Sequence, residues 1–128
     1  MDKPDPNENE VLIKLHATTV TAVDAIFRKG SSFFARLATG LIRPKHHILG
    51  SEFSGEVEAV GKNVRRFKTG DLVFGDTGSN QGTYAEYLCL SEETPMETIP
   101  SNLTMEEAAA VPYGTLTALP FLRDNGKL

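Results

Sequence analysis

Hydrophobic and polar positions first fall into step at Val11-Leu12-Ile13-Lys14-Leu15-His16-Ala17-Thr18-Thr19-Val20. The segment is rich in β-branched side chains, and Val11, Ile13 and Leu15 alternate with Lys14 and His16, so it predicts a long strand. Residues 1–9 ahead of it are polar and carry Pro4 and Pro6, which predicts an extended lead-in. Behind it, Thr21 or Asp24 is placed to cap a short helix reaching Arg28, with Gly30 to close it. Residues 31–43 stay undecided, because Phe33, Phe34, Leu37, Leu41 and Ile42 fit one helical face only approximately. From residue 48 the pattern is that of strands. Residues 53–60 predict one, with Gly50 and Gly55 marking a close backbone approach at its start. Gly61-Lys62-Asn63 reads as a turn, and Gly70-Asp71 as a second one leading into Leu72-Val73-Phe74. Residues 75–82 are a loop by composition, and residues 83–90 predict a further strand with Tyr84 and Tyr87 on opposite faces. Short strands joined by glycine turns predict a compact barrel or sandwich rather than a parallel sheet.

The texture changes once, near residues 95–101. Thr104-Met105-Glu106-Glu107 is a capping box, in which Thr104 accepts from the Glu107 amide and the Glu107 carboxylate reaches back. An alanine-rich helix follows and stops near Pro112. A second helix is predicted over residues 115–125, ended by Gly126 as a left-handed cap. Pro120 falls inside it and costs about 3 kcal/mol in a regular interior, so that helix starts late or kinks. Its Leu116, Leu119 and Leu122 form an apolar face without a partner, which predicts a chain that stops short of the domain covering it.

A chain of 128 residues, 40% of them hydrophobic, is one domain with one core. The net charge of −4 gives no electrostatic reason to expect nucleic acid or an anionic membrane as partner. The basic run Lys62, Arg65, Arg66 and Lys68 reads as a solvated turn among acidic neighbours. A single cysteine, Cys89, excludes an internal disulfide and a multi-cysteine metal site; its apolar surroundings make it a small core residue. No stretch approaches the roughly 18 apolar residues of a membrane span, and the acidic, Pro-rich start is unlike a signal peptide, so the expected compartment is the cytoplasm.

Five patterns in order carry a family resemblance: Glu10-Val11-Leu12-Ile13-Lys14; Val23-Asp24; Gly50-Ser51-Glu52-Phe53-Ser54-Gly55-Glu56-Val57; Val60-Gly61 through Phe67-Lys68-Thr69-Gly70-Asp71-Leu72-Val73-Phe74-Gly75; and Glu107-Ala108-Ala109-Ala110-Val111-Pro112 with Gly114 and Leu116-Thr117-Ala118. Together, over residues 8–126, they resemble the medium-chain dehydrogenases/reductases, and within them the zinc-free quinone oxidoreductases and related enone reductases. The resemblance implies a mainly β fold with short helices. Residues 10–100 would form a GroES-like, partly open β-barrel, the catalytic or substrate domain. Residues 101–128 would be two C-terminal helices leading into a missing Rossmann domain that binds the cofactor pyrophosphate. Gly75, Gly78 and Gly82 have the wrong spacing for that phosphate cradle and read as a loop. The cofactor implied is NADPH, the substrate a small quinone or enone, and the full-length protein a homodimer; these residues alone are expected to be inactive.

In zinc-dependent relatives a cysteine lies three residues before the aspartate matching Asp24, and a histidine stands between the residues matching Gly50 and Glu52. Here those positions are Thr21 and Ser51, and hydroxyls are poor zinc ligands. His16, His46 and His47 suggest no third ligand, so no metal is expected. Without a Lewis acid, hydride must go to an already activated acceptor whose charge spreads onto an oxygen that needs only hydrogen-bond donors. The resemblance places Thr21 beside the nicotinamide, toward the ribose or the substrate carbonyl, and Thr117 near the nicotinamide carboxamide. Asp24, Ile26 and Tyr113 are the substrate-pocket candidates. Ile26 stands where quinone oxidoreductases often carry a tyrosine, which removes a hydroxyl. Phe53 and Phe74 read as core, and Glu52 as a buried carboxylate whose partner would be a cation in the missing domain. No catalytic acid or base stands out. The alternatives are a non-catalytic GroES-like interaction module and a zinc alcohol dehydrogenase with atypical ligands.

Overall fold

The computed structural model describes residues 3–29 and 48–126. Its centre is a pair of nine-residue antiparallel strands, β1 (Glu10–Thr18) and β2 (Glu52–Val60). β3 (Leu72–Asp76) and β5 (Met96–Thr98) extend the sheet on one side and β4 (Tyr87–Ser91) on the other, in the order β4-β1-β2-β3-β5. The β1–β2 register shifts between Leu12 and Ile13 and again between Leu15 and Ala17, and such bulges bend a strand. The bending shows in the core. Leu90 of edge strand β4 and Met96 of edge strand β5 belong to the same buried cluster as Val11, Ile13, Phe53, Val57 and Val73. A flat five-stranded sheet could not bring its two edges to one cluster, so this sheet curls around its interior as a partly open barrel does. Val64 and Phe67, from the β2–β3 connection, fill it.

Glycine serves the curl at one clear point. Gly55 faces Leu15 across the ladder, and a Cβ there would stand 2.4 Å from the Lys14 carbonyl oxygen. That is the close approach the sequence pattern predicted.

Two strand expectations need correction. The strand predicted over residues 83–90 is ladder only from Tyr87, because the Thr83 and Tyr84 amides donate to the Gly50 and Leu49 carbonyls, at 3.2 and 3.0 Å, instead. β5 was not foreseen. Its three residues have no periodicity to read, and their pairing with Val73–Gly75 arises from tertiary contact.

Of the helices, α1 (Ala22–Lys29) lies where predicted. The undecided residues 31–43, the Gly30 closure, and His46 and His47 lie outside the described residues. α2 (Met105–Ala109) carries the complete predicted capping box, and its Ala108 and Ala109 are buried. Small side chains there let the helix lie close to the sheet, where the Ser54 hydroxyl donates to the Met105 carbonyl at 2.7 Å.

α3 (Pro112–Pro120) begins three residues before its predicted start. Pro112 stands at its first position, where a missing N–H costs nothing. The late start that Pro120 suggested is therefore corrected: Pro120 is the last residue of α3, and the helical backbone runs on beyond it. A π-helical turn, Phe121–Asn125, follows, with the Gly126 amide donating to the Phe121 carbonyl at 2.9 Å. Gly126 accordingly keeps a right-handed φ of −78°, and the predicted left-handed cap is not formed. Leu116, Leu119 and Leu122 are about half exposed, as the unpartnered face predicted.

Cys89 is half-buried on β4; burial above all, then the Glu10 and Asp5 carboxylates, push its thiol up, which favours the protonated form. The basic run is exposed and engaged with carboxylates: Lys62 with Glu8, Arg66 with Glu97 and Lys68 with Asp71.

Candidate active site

Four threonines gather where β1 ends. The Thr18 hydroxyl lies 2.7 Å from the Glu52 carbonyl and 2.8 Å from the Thr83 hydroxyl. Thr83 and the Tyr84 ring pack against Gly50, whose φ is +91° and whose Cβ would stand 2.2 Å from Thr83 Oγ1. Only glycine serves there, for both conformation and space.

Thr21 precedes α1 and Asp24 sits in its first turn. Asp24 is 6% exposed, and its Oδ2 accepts from the Thr21 amide at 2.7 Å and the Thr21 hydroxyl at 2.8 Å. The carboxylate thus caps the helix start, and Thr21 directs its hydroxyl proton at Asp24. Close by, the Tyr84 hydroxyl donates to the Thr19 carbonyl at 3.1 Å. Burial first, then the Asp24 charge, raise this phenol above its ordinary value, which keeps it a hydrogen-bond donor.

Glu52 opens β2 and is 3% exposed. Its Oε1 accepts from the Tyr113 amide at 2.8 Å, and its Oε2 from the Thr19 hydroxyl. Within this chain the carboxylate is held by a hydroxyl and by the positive end of α3.

Of the predicted residues, Thr21 and Asp24 are hydrogen-bonded to each other, and Tyr113 is tied by its backbone amide through Glu52 to Thr19, two residues before Thr21. Thr117 lies one turn beyond Tyr113 on the same face of α3, exposed, its hydroxyl without a protein partner among the described residues. Ile26 lies on α1 two residues after Asp24; its side chain is outside the described part. Sequence reasoning left out Thr19, Thr83 and Tyr84 as site residues. The hydroxyl-rich run Thr18-Thr19-Val20-Thr21 at a strand's end was the available signal.

A separate, largely apolar groove of about 380 Å³ lies on the other face of α3, against β3 and β5. Phe74 lines it together with Met96, Pro112 and Leu116. Phe74 is thus half-buried at a groove, where the sequence had suggested core, while Phe53 is fully buried as expected.

The donor set suits hydrogen bonding better than metal. At the positions where zinc relatives carry ligands, Thr21 donates to Asp24 and both Glu52 oxygens already accept. Among the described residues no three His, Cys, Asp or Glu side chains converge. Among the described residues, Thr21, Ser51 and Glu52 do not make up a zinc ligand set. Nor is the glycine cluster a phosphate cradle: Gly75 lies within β3, where a Cβ would meet the Pro95 carbonyl at 2.5 Å, and Gly78 opens a 3-10 turn.

A curled antiparallel sheet with a hydroxyl-rich polar end, followed by two short helices, is an architecture with known counterparts. The model of the alcohol dehydrogenase GroES-like domain matches residues 7–101, and the chain belongs to that family. Within it the chain is similar to quinone-oxidoreductase-like medium-chain dehydrogenases/reductases. It is 34% identical over 116 residues to the NAD(P)H oxidoreductase RTN4IP1, mitochondrial, of Dictyostelium discoideum, covering 90% of this chain and 32% of that protein. The quinone oxidoreductase structure from Coxiella burnetii superposes with a TM-score of 0.82 at 35% identity, over 97% of this chain and 38% of that one. The Escherichia coli quinone oxidoreductase complexed with NADPH gives 0.78 at 26% identity, over 98% of this chain and 35% of that one. The chain spans about a third of the length of these relatives.

Proposed function

We propose that residues 10–100 are the substrate domain, and residues 101–128 the helical connection, of an NAD(P)H-dependent oxidoreductase that passes hydride to a quinone or an α,β-unsaturated carbonyl without zinc. The observation that carries this reading is the Thr21–Asp24 pair, a hydrogen-bonded hydroxyl and carboxylate at a position where zinc relatives hold metal. The bound nicotinamide would supply the hydride. This chain's residues would bind and orient. Because Asp24 takes the Thr21 proton, Thr21 Oγ1 presents lone pairs outward, which suits a donating ribose hydroxyl better than a substrate carbonyl. Thr117, whose hydroxyl has no protein partner among the described residues, could donate to or accept from a carboxamide. Tyr113 and Asp24 would line the substrate side, with Ile26 as an apolar neighbour in place of a phenol.

NADPH is the cofactor we favour over NADH, with cytoplasmic location and a homodimer for the whole protein; among the described residues no helix is long and apolar enough to cross a membrane. The test is a titration of NADPH against the 128-residue chain by fluorescence, beside turnover by the chain joined to its cofactor-binding part. No binding by the chain alone, and chelator-insensitive NADPH oxidation with quinones or enones by the joined protein, are expected. Micromolar binding by the chain alone, or a zinc held between Thr21, Ser51 and Glu52, overturns the reading.

A second reading, a non-catalytic interaction module, is favoured by the exposed Leu116, Leu119, Phe121 and Leu122. A stable stoichiometric oligomer of this chain in size-exclusion chromatography supports it.

A further inference from the structure

We infer that Glu52 is a positioning residue: its carboxylate clamps the first turn of α3 to the β1–α1 turn and sets where Tyr113 and Thr117 stand relative to Thr21 and Asp24. The role in turnover rests on the function proposed above; the clamp itself does not.

α3 supplies nothing of its own to hold its first turn. Val111, at the cap position, offers no side-chain acceptor, and Pro112 has no amide to be met. Every α3 residue after Pro112 is exposed, so packing holds the helix only at its start. The Tyr113 amide is the first free donor. Glu52 meets it from 61 residues away, and this is the one side-chain hydrogen bond to α3 among the described residues.

The other half of the clamp points to the opposite wall. Glu52 Oε2 takes the Thr19 hydroxyl, and the Thr19 carbonyl receives the Tyr84 phenol. A path of hydrogen bonds thus runs from Tyr113 through Glu52 to Thr19 and Tyr84, and Thr19 stands two residues before Thr21, whose amide and hydroxyl Asp24 accepts. Glu52 is the member that touches both walls. Two donors converge on it from different elements, which demands two acceptor atoms on one short, buried side chain. A carboxylate has them. The cap of α2 makes the contrast plain, since Thr104 and Glu107 satisfy each other from within a single turn. α3 has instead delegated its cap to the sheet, so its placement follows Glu52.

The test compares Glu52→Met and Glu52→Gln, which have similar length but differ in accepting power. The first readout is hydrogen exchange of the Tyr113 amide by NMR, with the self-capped Glu107 amide as internal reference. Met should speed Tyr113 exchange at least about tenfold and leave Glu107 unchanged, while Gln, which keeps one acceptor, should stay within about threefold of the native chain. The second is steady-state turnover of the joined protein with NADPH. Met should lower kcat about tenfold with acceptor KM within about twofold, and Gln should recover most of the loss. Equal Tyr113 exchange in native and Met proteins overturns the clamp, whether or not the chain serves an oxidoreductase. Faster exchange with unchanged kcat overturns the positioning role. An absent turnover in the native protein sinks the proposed function and leaves the exchange result to decide the clamp. Should Glu52→Met not fold, Thr19→Val replaces it: about threefold faster Tyr113 exchange supports the clamp, and no change overturns it.

Discussion

The sheet and the C-terminal helical segment use the same kinds of apolar residue to opposite ends. In the sheet, Val11, Ile13, Phe53, Val57 and Val73 are all completely buried. In α3 and the turn after it, Leu116, Leu119, Phe121 and Leu122 are 47–65% exposed. The difference does not lie in composition but in closure. Strands can curl until their edges share one interior, whereas a single helix can bury only the stripe that something else covers. The sheet is therefore held by apolar contact, and α3 by Pro112 and a buried carboxylate. Stability and placement are assigned to different residues.

The largest test of that division is Phe53→Ala beside Leu119→Ala. Removing the fully buried Phe53 ring should cost about 3–5 kcal/mol in urea unfolding. Leu119, half exposed, should change stability by no more than about 0.5 kcal/mol. Equal losses would mean that α3 is packed as firmly as the sheet.

Next in size is Gly50→Ala. Its φ of +91° and the 2.2 Å approach to Thr83 Oγ1 leave no room for a methyl, so about 2 kcal/mol should be lost. The displacement falls on Thr83 and Tyr84, so the Tyr84 phenol should titrate nearer its ordinary value, read by ultraviolet absorbance. A substitution that costs stability but leaves that titration in place would separate the polar end from its glycine support.

What could be read beforehand follows the same division. β1, β2, the Gly61 and Gly70 turns and the α2 cap depend on local alternation and side chain–backbone bonds within a few residues, and all of these were legible. β5 was not, because Met96–Thr98 becomes a strand only by lying against Val73–Gly75. Residues 83–86 misled for the reverse reason: their alternation is strand-like, but the Leu49 and Gly50 carbonyls capture the amides. Thr21 and Asp24 could be singled out because they are three residues apart. Glu52, Thr19 and Tyr84 form their contacts across 33 and 65 residues, a pairing no spacing rule reveals. Pro120 pointed to a late helix start, whereas the helix begins early, at Pro112, because a proline at the first position costs no hydrogen bond.

Thr104→Ala sharpens the contrast between the two caps. It should cost about 1 kcal/mol, the ordinary value for a lost threonine cap, and the effect should stay local to α2. Amide exchange should rise at Glu107 and not at Tyr113, because the two helices take their caps from different sources.

The smallest effect concerns charges that hold the sheet's loops. Glu92 takes the amides of Arg66 and Arg65 on one oxygen, at 2.9 and 2.8 Å, and these hold its carboxyl below the usual range. Asp71 is lowered likewise, first by the Lys68 ammonium and then by the Lys68 amide. A carboxylate lowered on folding stabilises the folded state fully above its unfolded value, about 4, and loses that contribution as pH falls through the folded value. The native chain should therefore be the more stable at neutral pH, and Glu92→Gln should converge with it as pH falls through the lowered folded value, below which both side chains are neutral. Among the described residues Asp124 in the C-terminal turn pairs with exposed Arg123, its neighbour in sequence, so Asp124→Asn should leave stability at neutral pH unchanged. Curves that instead keep a constant gap down to low pH would show that Glu92 acts through something other than its charge.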